Sequence, residues 1–425
     1  PRVGIDDVIT KCKQAGIRVL MVTGDYALTA AAIATQIGIL TTPNYDTREN
    51  LQQSNGNKKK GLVLTGSDLE MLTDDDWKLV VTQYEEIVLA RTTPEQKLKT
   101  VKEFQKYKYI VGVTGDGVND APALKSADIG IAMGGGSEVA MEASQLVLLD
   151  NNFSSILIAI QNGRLVFRNL KKVILYLLPG GCFAELIPVL MSIFLGVSQN
   201  ISSFQMLIIS LFTDIAPSLC LMMEKEETDL LKEPPRSRNE HLVNWKFLLH
   251  AYLFLGILVV IGSQSMFFIY MYTYSGLGPE DIFLSFDNLP NIYANLKNIT
   301  SLDEAKLQVN EFYYRGQTVT FVSIVLLQIF GNLLSTRTNF KSFIQQIIWK
   351  KNTRNFYLFG AQLISYVIMI IVVYVPWFHD LFKSRPLPVQ YLFLPLIFAL
   401  VIFSLDEFRK LMVRRKILYF HKFAW

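Results

Sequence analysis

Cysteine is scarce: the 425 residues hold three, Cys12, Cys182 and Cys220, with no paired spacing, which argues against a disulfide framework and against a zinc site. Charge of one sign is lacking too. Lysine and arginine number 41 against 37 acidic residues, a formal net charge of +4 that is scattered along the chain. No basic stripe interleaved with aromatics exists, so nucleic acid is not an expected partner. No targeting segment opens the chain, and Pro1 stands just before a helical pattern, as expected of a fragment of a longer protein. Apolar residues are what the chain has, 51% of the total against 18% charged, and they are unevenly spread. Up to about Asn169 short apolar runs alternate with polar helical segments. Beyond it, several apolar stretches approach the roughly 20 residues of a membrane span. A soluble unit over 1–169 and a membrane unit over 170–425 are expected.

The most informative stretch of the soluble part is Thr114-Gly-Asp-Gly-Val-Asn-Asp120, which follows the apolar run Tyr109–Val113 and precedes Ala121-Pro-Ala-Leu124. A strand that stops at glycine and then offers Asp116 and Asp120 puts two carboxylates at the carboxyl edge of a sheet, where α/β folds bind ligands. Magnesium takes one or two carboxylates with phosphate oxygens and water, and glycine lets backbone amides approach a phosphate. The other reading is a surface turn, which Gly, Asp and Asn form readily.

Earlier in the chain the same local grammar occurs. Helical periodicity over Asp6–Ala15 ends at Gly16, Ile17–Val22 reads as a buried strand, and Thr23-Gly-Asp25 leads into a helix over Thr29–Gly38. Such a turn offers a hydroxyl, an amide and a carboxylate at a helix N-terminus. With both turns on one parallel sheet they would face one pocket. Asn44–Gly61, with Lys58-Lys-Lys60, reads as a mobile surface loop and Ser67–Gln83 as a helix. A strand at Ile87–Ala90 leads into Arg91-Thr-Thr-Pro-Glu-Gln-Lys97. Pro94 marks a helix start, which places Lys97 in the first turn, either reaching a phosphate or simply solvated. Ile129–Met133 and Leu146–Leu149 complete the strands, with Gly134–Gly136 as a turn, and the whole reads as a doubly wound α/β domain.

Thr23-Gly-Asp25, Arg91 with Pro94 and Lys97, and Thr114–Asp120 with Ala121–Leu124 together resemble the P-type cation-transporting ATPases. Leu170-Lys-Lys172, Phe321-Val-Ser-Ile324 and Asp406-Glu-Phe-Arg-Lys410 extend the resemblance to the sodium/potassium and proton/potassium pump catalytic subunits. The resemblance implies an α/β doubly wound, haloacid-dehalogenase-like phosphorylation-domain portion followed by an all-α membrane domain of six transmembrane helices. It implies Mg2+ as cofactor and ATP as substrate. Asp116 and Asp120 would serve the metal, Thr23, Gly24, Asp25 and Lys97 would hold the phosphoryl group, Asn119 would support that site, and Arg91 would lie near the nucleotide. The family's phosphate-accepting Asp-Lys-Thr-Gly motif does not occur in the sequence. A carboxylate nucleophile traps the transferred group as an acyl phosphate, and neither metal nor lysine replaces it. On its own the chain is therefore expected not to turn over ATP.

Six spans are expected near Val173–Gly196, Phe204–Met223, Phe247–Tyr274, Thr318–Leu334, Tyr357–Val375 and Tyr391–Phe408. Basic residues cluster in Lys225–Arg238, Arg337–Arg354 and Arg409–Lys416, which by the positive-inside rule face the cytoplasm. Counting spans from an ATP-facing soluble domain gives the same orientation. The loop Gly276–Tyr314 then lies on the outer side, where an accessory subunit would bind, and it carries the glycosylation sequon Asn298-Ile-Thr300. The resemblance places the protein in the plasma membrane.

Glu185 and Asp214 in adjacent apolar spans are costly at that depth unless they face each other, water or a cation; the alternative is a protonated acid bonded between helices. Pro179-Gly-Gly181 and Pro217 interrupt these spans, and unwound turns there would add backbone carbonyls to a cation site, with hydroxyls from Ser210 and Thr213. Ser210 stands where the sodium/potassium pumps carry an aspartate, Pro179–Cys182 replaces an Asn-containing turn, Gly331-Asn332 occupies the neighbourhood of a further aspartate, and Leu363-Ile364 replaces a glutamate pair. Fewer fixed charges suggest weaker or fewer ion sites. The expected function is the carboxyl-terminal part of an ATP-driven pump moving Na+, K+ or H+ across a bilayer. The alternative is a catalytically incomplete, membrane-anchored phosphatase or regulatory remnant.

Overall fold

The computed structural model describes residues 4–415 and 417, except 43, 54–60, 151, 340 and 344–354. Two compact units form, Pro1–Arg164 with Thr228–Glu240, and Leu165–Glu227 with His241–Trp425.

The first unit is α/β. Its strands are β1 (Met21–Val22), β2 (Gly61–Thr65), β3 (Glu86–Ala90), β4 (Gly112–Gly115), β5 (Ile129–Met133) and β6 (Leu146–Leu148). Its helices are α1 (Ile5–Gln14), α2 (Ala27–Gln36), α3 (Gly66–Glu70), α4 (Asp74–Gln83), α5 (Pro94–Lys106), α6 (Ala121–Ser126) and α7 (Glu138–Ala143). All strand pairs are parallel. Successive side chains of a strand point to opposite faces, and both faces of this sheet are covered. Leu62, Leu64, Ile87 and Leu89 pack with Trp77, Val80, Val81 and Phe104, while Val63, Val88 and Ala90 pack with Ala30, Ala31 and Ala34.

Four expectations need correction here. The single sheet is two three-stranded sheets, ordered β1-β3-β2 and β4-β5-β6. β1 pairs only with β3 and β4 only with β5, so each keeps one edge that no described strand covers. Strand β2 was concealed because the polar loop reading ran up to Gly61, and part of that loop, with Lys58–Lys60, lies outside the described residues. The expected helix Ser67–Gln83 is α3 and α4, since Thr65 and Thr73 each cap a new helix through Asp68 and Asp76. The strand expected over Ile17–Val22 shrinks to Met21–Val22, the two residues that pair with Val88 and Leu89 of β3, while the Arg18 guanidinium is engaged with the carbonyls of Val80, Val81 and Tyr84. Segment Thr228–Glu240 joins this unit through Arg164, which donates to the Leu230 and Glu233 carbonyls at 2.6 Å each.

Among the described residues six helices are long and apolar enough to cross a membrane: Ser155–Leu195, whose residues up to Arg164 belong to the first unit, Ser203–Met222, Trp245–Ser275, Leu302–Thr336, Phe356–Tyr374 and Gln390–Arg414. The first begins well before Val173, so the boundary expected at residue 169 falls inside a continuous helix. Around Pro179 and Asp214 the chain is not unwound. It makes π-helical turns at Leu178–Phe183 and Ile209–Thr213, with others at Leu249–Gly256 and Leu327–Asn332. Such turns widen a helix by one residue and mark functional sites more often than chance. The segment Gly276–Tyr314 is itself helical in part, with Pro279–Ile282, Leu289–Lys297 and the first turns of Leu302–Leu326. At one end of the bundle buried ion pairs join the spans: Lys172 with Glu227 and Arg337 with Glu224, each at 2.8 Å. Part of the basic segment Arg337–Arg354 lies outside the described residues.

Candidate functional site

Two constellations carry chemistry, one in each unit. In the α/β unit β1 runs directly into Thr23-Gly-Asp25, and β3 into Arg91-Thr-Thr93. Thr92 donates to the Thr23 carbonyl from its amide at 3.1 Å and its hydroxyl at 3.0 Å, and the Arg91 amide donates to the Asp25 carbonyl at 2.9 Å. Arg91 has φ of 52°, a left-handed conformation that turns its guanidinium over the Tyr26 ring, 4.7 Å from the centroid. The Asp25 amide donates to the Thr23 hydroxyl at 3.1 Å, which closes a tight turn. Thr23, Gly24, Asp25 and Arg91 thus form one cluster.

Lys97 lies in the first turn of α5, fixed by a capping box in which Gln96 donates its amide to the Thr93 hydroxyl and accepts from the Thr93 amide. Its ammonium meets Asp120 at 2.7 Å, with both side chains largely shielded. The other Asp120 oxygen accepts from the Gly117 amide at 3.4 Å. Gly115 is obligatory, since a Cβ there would sit 2.6 Å from the Asp120 Cβ, and one at Gly136 would sit 2.7 Å from the Asp116 carbonyl oxygen. The backbone is thereby folded tightly around two carboxylates with different environments. Asp120 is held by lysine and amide, whereas Asp116 is exposed and no described residue bonds its carboxylate. Asn119 is exposed on the same turn. Among the described residues no group of three or more His, Cys, Asp or Glu forms a closed metal site. The open Asp116 carboxylate fits magnesium, which takes one or two carboxylates and leaves its remaining positions to phosphate and water.

In the membrane unit the π-helical turns bring polar groups together. Asp214 is buried and accepts from the Tyr176 hydroxyl at 3.0 Å and from Gln328 at 3.3 Å. With its amide turned over, Gln328 still donates to Asp214 at 3.3 Å while accepting from the Gly181 amide at 2.8 Å, which satisfies both its ends. Gly180 and Gly181 make the approach possible: a Cβ at Gly180 would sit 2.2 Å from Gln328 Nε2, and one at Gly181 2.7 Å from Asp214 Oδ2. Ser210 lies in the π-helical turn Ile209–Thr213 and is exposed. Glu185 Oε1 is buried with no partner among the described residues. An unmet buried acceptor costs on the order of 1–3 kcal/mol, more for a charged one, so this oxygen favours a cation or proton.

Thr213 is a less available donor of oxygen. Its hydroxyl is committed to the Ile209 carbonyl at 2.9 Å and its own carbonyl accepts from Ser365 at 2.7 Å. Tyr176 and Gln328 carry no charge and so do not stand out in the sequence as Glu185 and Asp214 do; a lone Gln inside an apolar run is the signal present, since such amides bond across helices. Asn332 donates to the Tyr176 carbonyl at 2.8 Å and helps fix that tyrosine. Leu363 and Ile364 are 64% and 53% exposed, so they face away from the bundle, and Gln362 and Ser365 point inward instead.

Residues 1–128 match the family described as haloacid dehalogenase-like hydrolase, and residues 199–412 the family described as cation transporting ATPase, C-terminus. The potassium-transporting ATPase alpha chain 2 of Rattus norvegicus is 38% identical over 97% of this chain, and that of Homo sapiens 37% over 97%. The sodium/potassium-transporting ATPase subunit alpha-4 of Rattus norvegicus is 34% identical over 98%. The chain spans about 40% of the length of these relatives.

Proposed function

We propose the function of a chain that belongs to the cation-transporting ATPase family: it is the carboxyl-terminal part of an ATP-driven pump for a small inorganic cation, Na+, K+ or H+. The observation that carries this reading is the pairing, in one chain, of a glycine-rich turn, which holds an exposed carboxylate and a lysine-held one, with buried acids between apolar spans. The uncovered edges of β1 and β4, with Tyr26, Ile110 and Val118 exposed nearby, suit a further segment of a longer protein that brings the phosphate-accepting aspartate.

In the α/β unit Thr23, Gly24 and Asp25 hold the phosphoryl group, with Lys97 balancing its charge and keeping Asp120 in place. Asn119 supports the turn, and Arg91 on Tyr26 lies beside the nucleotide. Asp116, with Asp120 next to it, holds magnesium. When bound, the metal neutralises charge on the transferred phosphoryl group. In the membrane unit Glu185 and Asp214 bind the cation, with Ser210 adding a hydroxyl and Thr213 a structural bond. Tyr176 and Gln328 hold the Asp214 carboxylate in position. ATP is the substrate and the bilayer the medium. The soluble unit and the carboxyl terminus face the cytoplasm, in accord with the basic clusters, and an accessory subunit binds the outer segment Gly276–Tyr314. The plasma membrane is the proposed location.

Substitution in the full-length protein separates the two sites. Asp116→Asn abolishes phosphoenzyme formation from ATP, whereas Asp214→Ala leaves ATP binding intact and removes the dependence of phosphorylation on the cation. Normal labelling in the first variant, or an unchanged cation response in the second, refutes the assignment.

A further inference from the structure

The chain carries three Asn-X-Ser/Thr sequences, at Asn152, Asn200 and Asn298, and the structure treats them differently. Asn200 is fully buried and its amide is engaged with Gln264. Asn152 is exposed but belongs to the α/β unit, and its side-chain oxygen accepts from the Ser154 amide at 3.0 Å. Asn298 is exposed, and no hydrogen bond among the described residues uses its side chain.

The local fold accounts for that freedom. Helix Leu289–Lys297 ends with Asn298 in the left-handed conformation, φ 52°, a position that Asn tolerates better than most residues. The Ile299 amide closes the end on the Ala294 carbonyl at 2.9 Å, and its side chain packs against the hydrophobic core. Ser301 then caps the next helix, accepting from the Glu304 amide at 3.4 Å. Packing and capping thus fall to Ile299 and Ser301, while Asn298 and Thr300 stay exposed at the tip. The 16 helical residues from Leu302 to Gln317 precede the apolar stretch that begins at Thr318, about 24 Å of helix at about 1.5 Å per residue.

We propose that Asn298 is an N-glycosylation site, which rests on the orientation given above that puts segment Gly276–Tyr314 outside. The donor is a polyprenyl-diphosphate-linked oligosaccharide, used by the host's transferase in the secretory pathway. Asn298 Nδ2 loses a proton and forms a bond to C1 of the first sugar; the C1–O bond to the diphosphate breaks, and the polyprenyl diphosphate leaves. Thr300 is the hydroxyl residue that the acceptor sequence requires.

The test expresses the full-length protein in cells that glycosylate and treats it with an endoglycosidase that removes N-linked glycans. The expected result is a mobility shift that Thr300→Ala eliminates and Thr300→Ser retains. Both changes leave Asn298 in its helix-ending position, and neither residue touches the phosphate or cation site, so phosphoenzyme formation serves as the folding control. Absence of any shift in a protein that phosphorylates normally overturns the proposal and leaves the pump reading standing. A glycan that survives Thr300→Ala and disappears with Ser154→Ala overturns the proposal together with the orientation.

Discussion

Gly180 gives the sharpest test of the membrane site, because the geometry there leaves no room. A methyl group at this position would lie 2.2 Å from Gln328 Nε2, 2.4 Å from its Cγ and 2.7 Å from its Cδ. Three atoms of one side chain are in the way, so a small shift of the amide tip is not enough and Gln328 must leave its rotamer. Overpacking of this kind costs about 1–3 kcal/mol in stability. Moving Gln328 also removes its bond to the Asp214 carboxylate, and hydrogen bonds to charged groups contribute about 1.5–3 kcal/mol. At about 1.4 kcal/mol per factor of ten, Gly180→Ala should weaken the cation that activates phosphorylation by roughly ten-fold to a hundred-fold. Gln328→Ala alone loses the bond without the clash. The double variant Gly180→Ala/Gln328→Ala has no clash left, so its stability should match Gln328→Ala, and the stability cycle should be non-additive by about the overpacking cost. The assay is thermal unfolding in detergent, with cation titration of phosphoenzyme formation, on the full-length protein. Additive losses in the double variant would refute the close packing of Gly180 on Gln328.

Two further outcomes follow from other parts of the molecule. Arg337 is fully buried against Glu224 at 2.8 Å, so Arg337→Ala leaves a buried carboxylate without its main partner and should cost about 3–5 kcal/mol; Arg337→Met with Glu224→Gln should recover much of it, read as the melting temperature. Burial pushes the Cys12 thiol up from its ordinary value. Since the unfolded thiol then loses its proton first, the stability Cys12 contributes is complete below the unfolded pKa and falls as pH rises through the higher folded value. Alkylation of Cys12 should accordingly wait for unfolding, and rapid labelling of the folded protein near neutral pH would contradict its burial.

Much of this was legible because local rules and tertiary structure agree. Pro94 with Glu95 announces the start of α5 and places Lys97 in its first turn, where the structure has it, behind a capping box of Thr93 and Gln96. The six spans are plain from apolar length alone. The split sheet was hidden because a strand's sequence does not state which neighbour it pairs with: Met21-Val22 and Gly112–Gly115 each look like members of one sheet, and only the register reveals two. The membrane site was half legible. Glu185 and Asp214 stand out as charges in apolar helices, but Gln328 reaches Asp214 from a π-helical turn whose extra residue shifts the inward face, which helical periodicity does not foresee, and Tyr176 lies in the regular helix just before another such turn. In the regular helix Phe356–Tyr374 the inward face holds Gln362 and Ser365 rather than Leu363 and Ile364, and a mostly apolar run gives little sign of which face that is.

The central claim is that this chain supplies the metal-and-phosphate turn and the cation site of one phosphorylated pump. Incorporation of labelled phosphate from ATP into the full-length protein, measured in the presence of Na+, K+ or H+ in turn, tests it most directly. The account predicts an acid-stable phosphoprotein whose level responds to one of these cations in the wild type, is absent in Asp116→Asn, and is formed without that response in Asp214→Ala. A phosphoprotein that forms equally in Asp116→Asn, or a wild type whose labelling no cation alters, would contradict it.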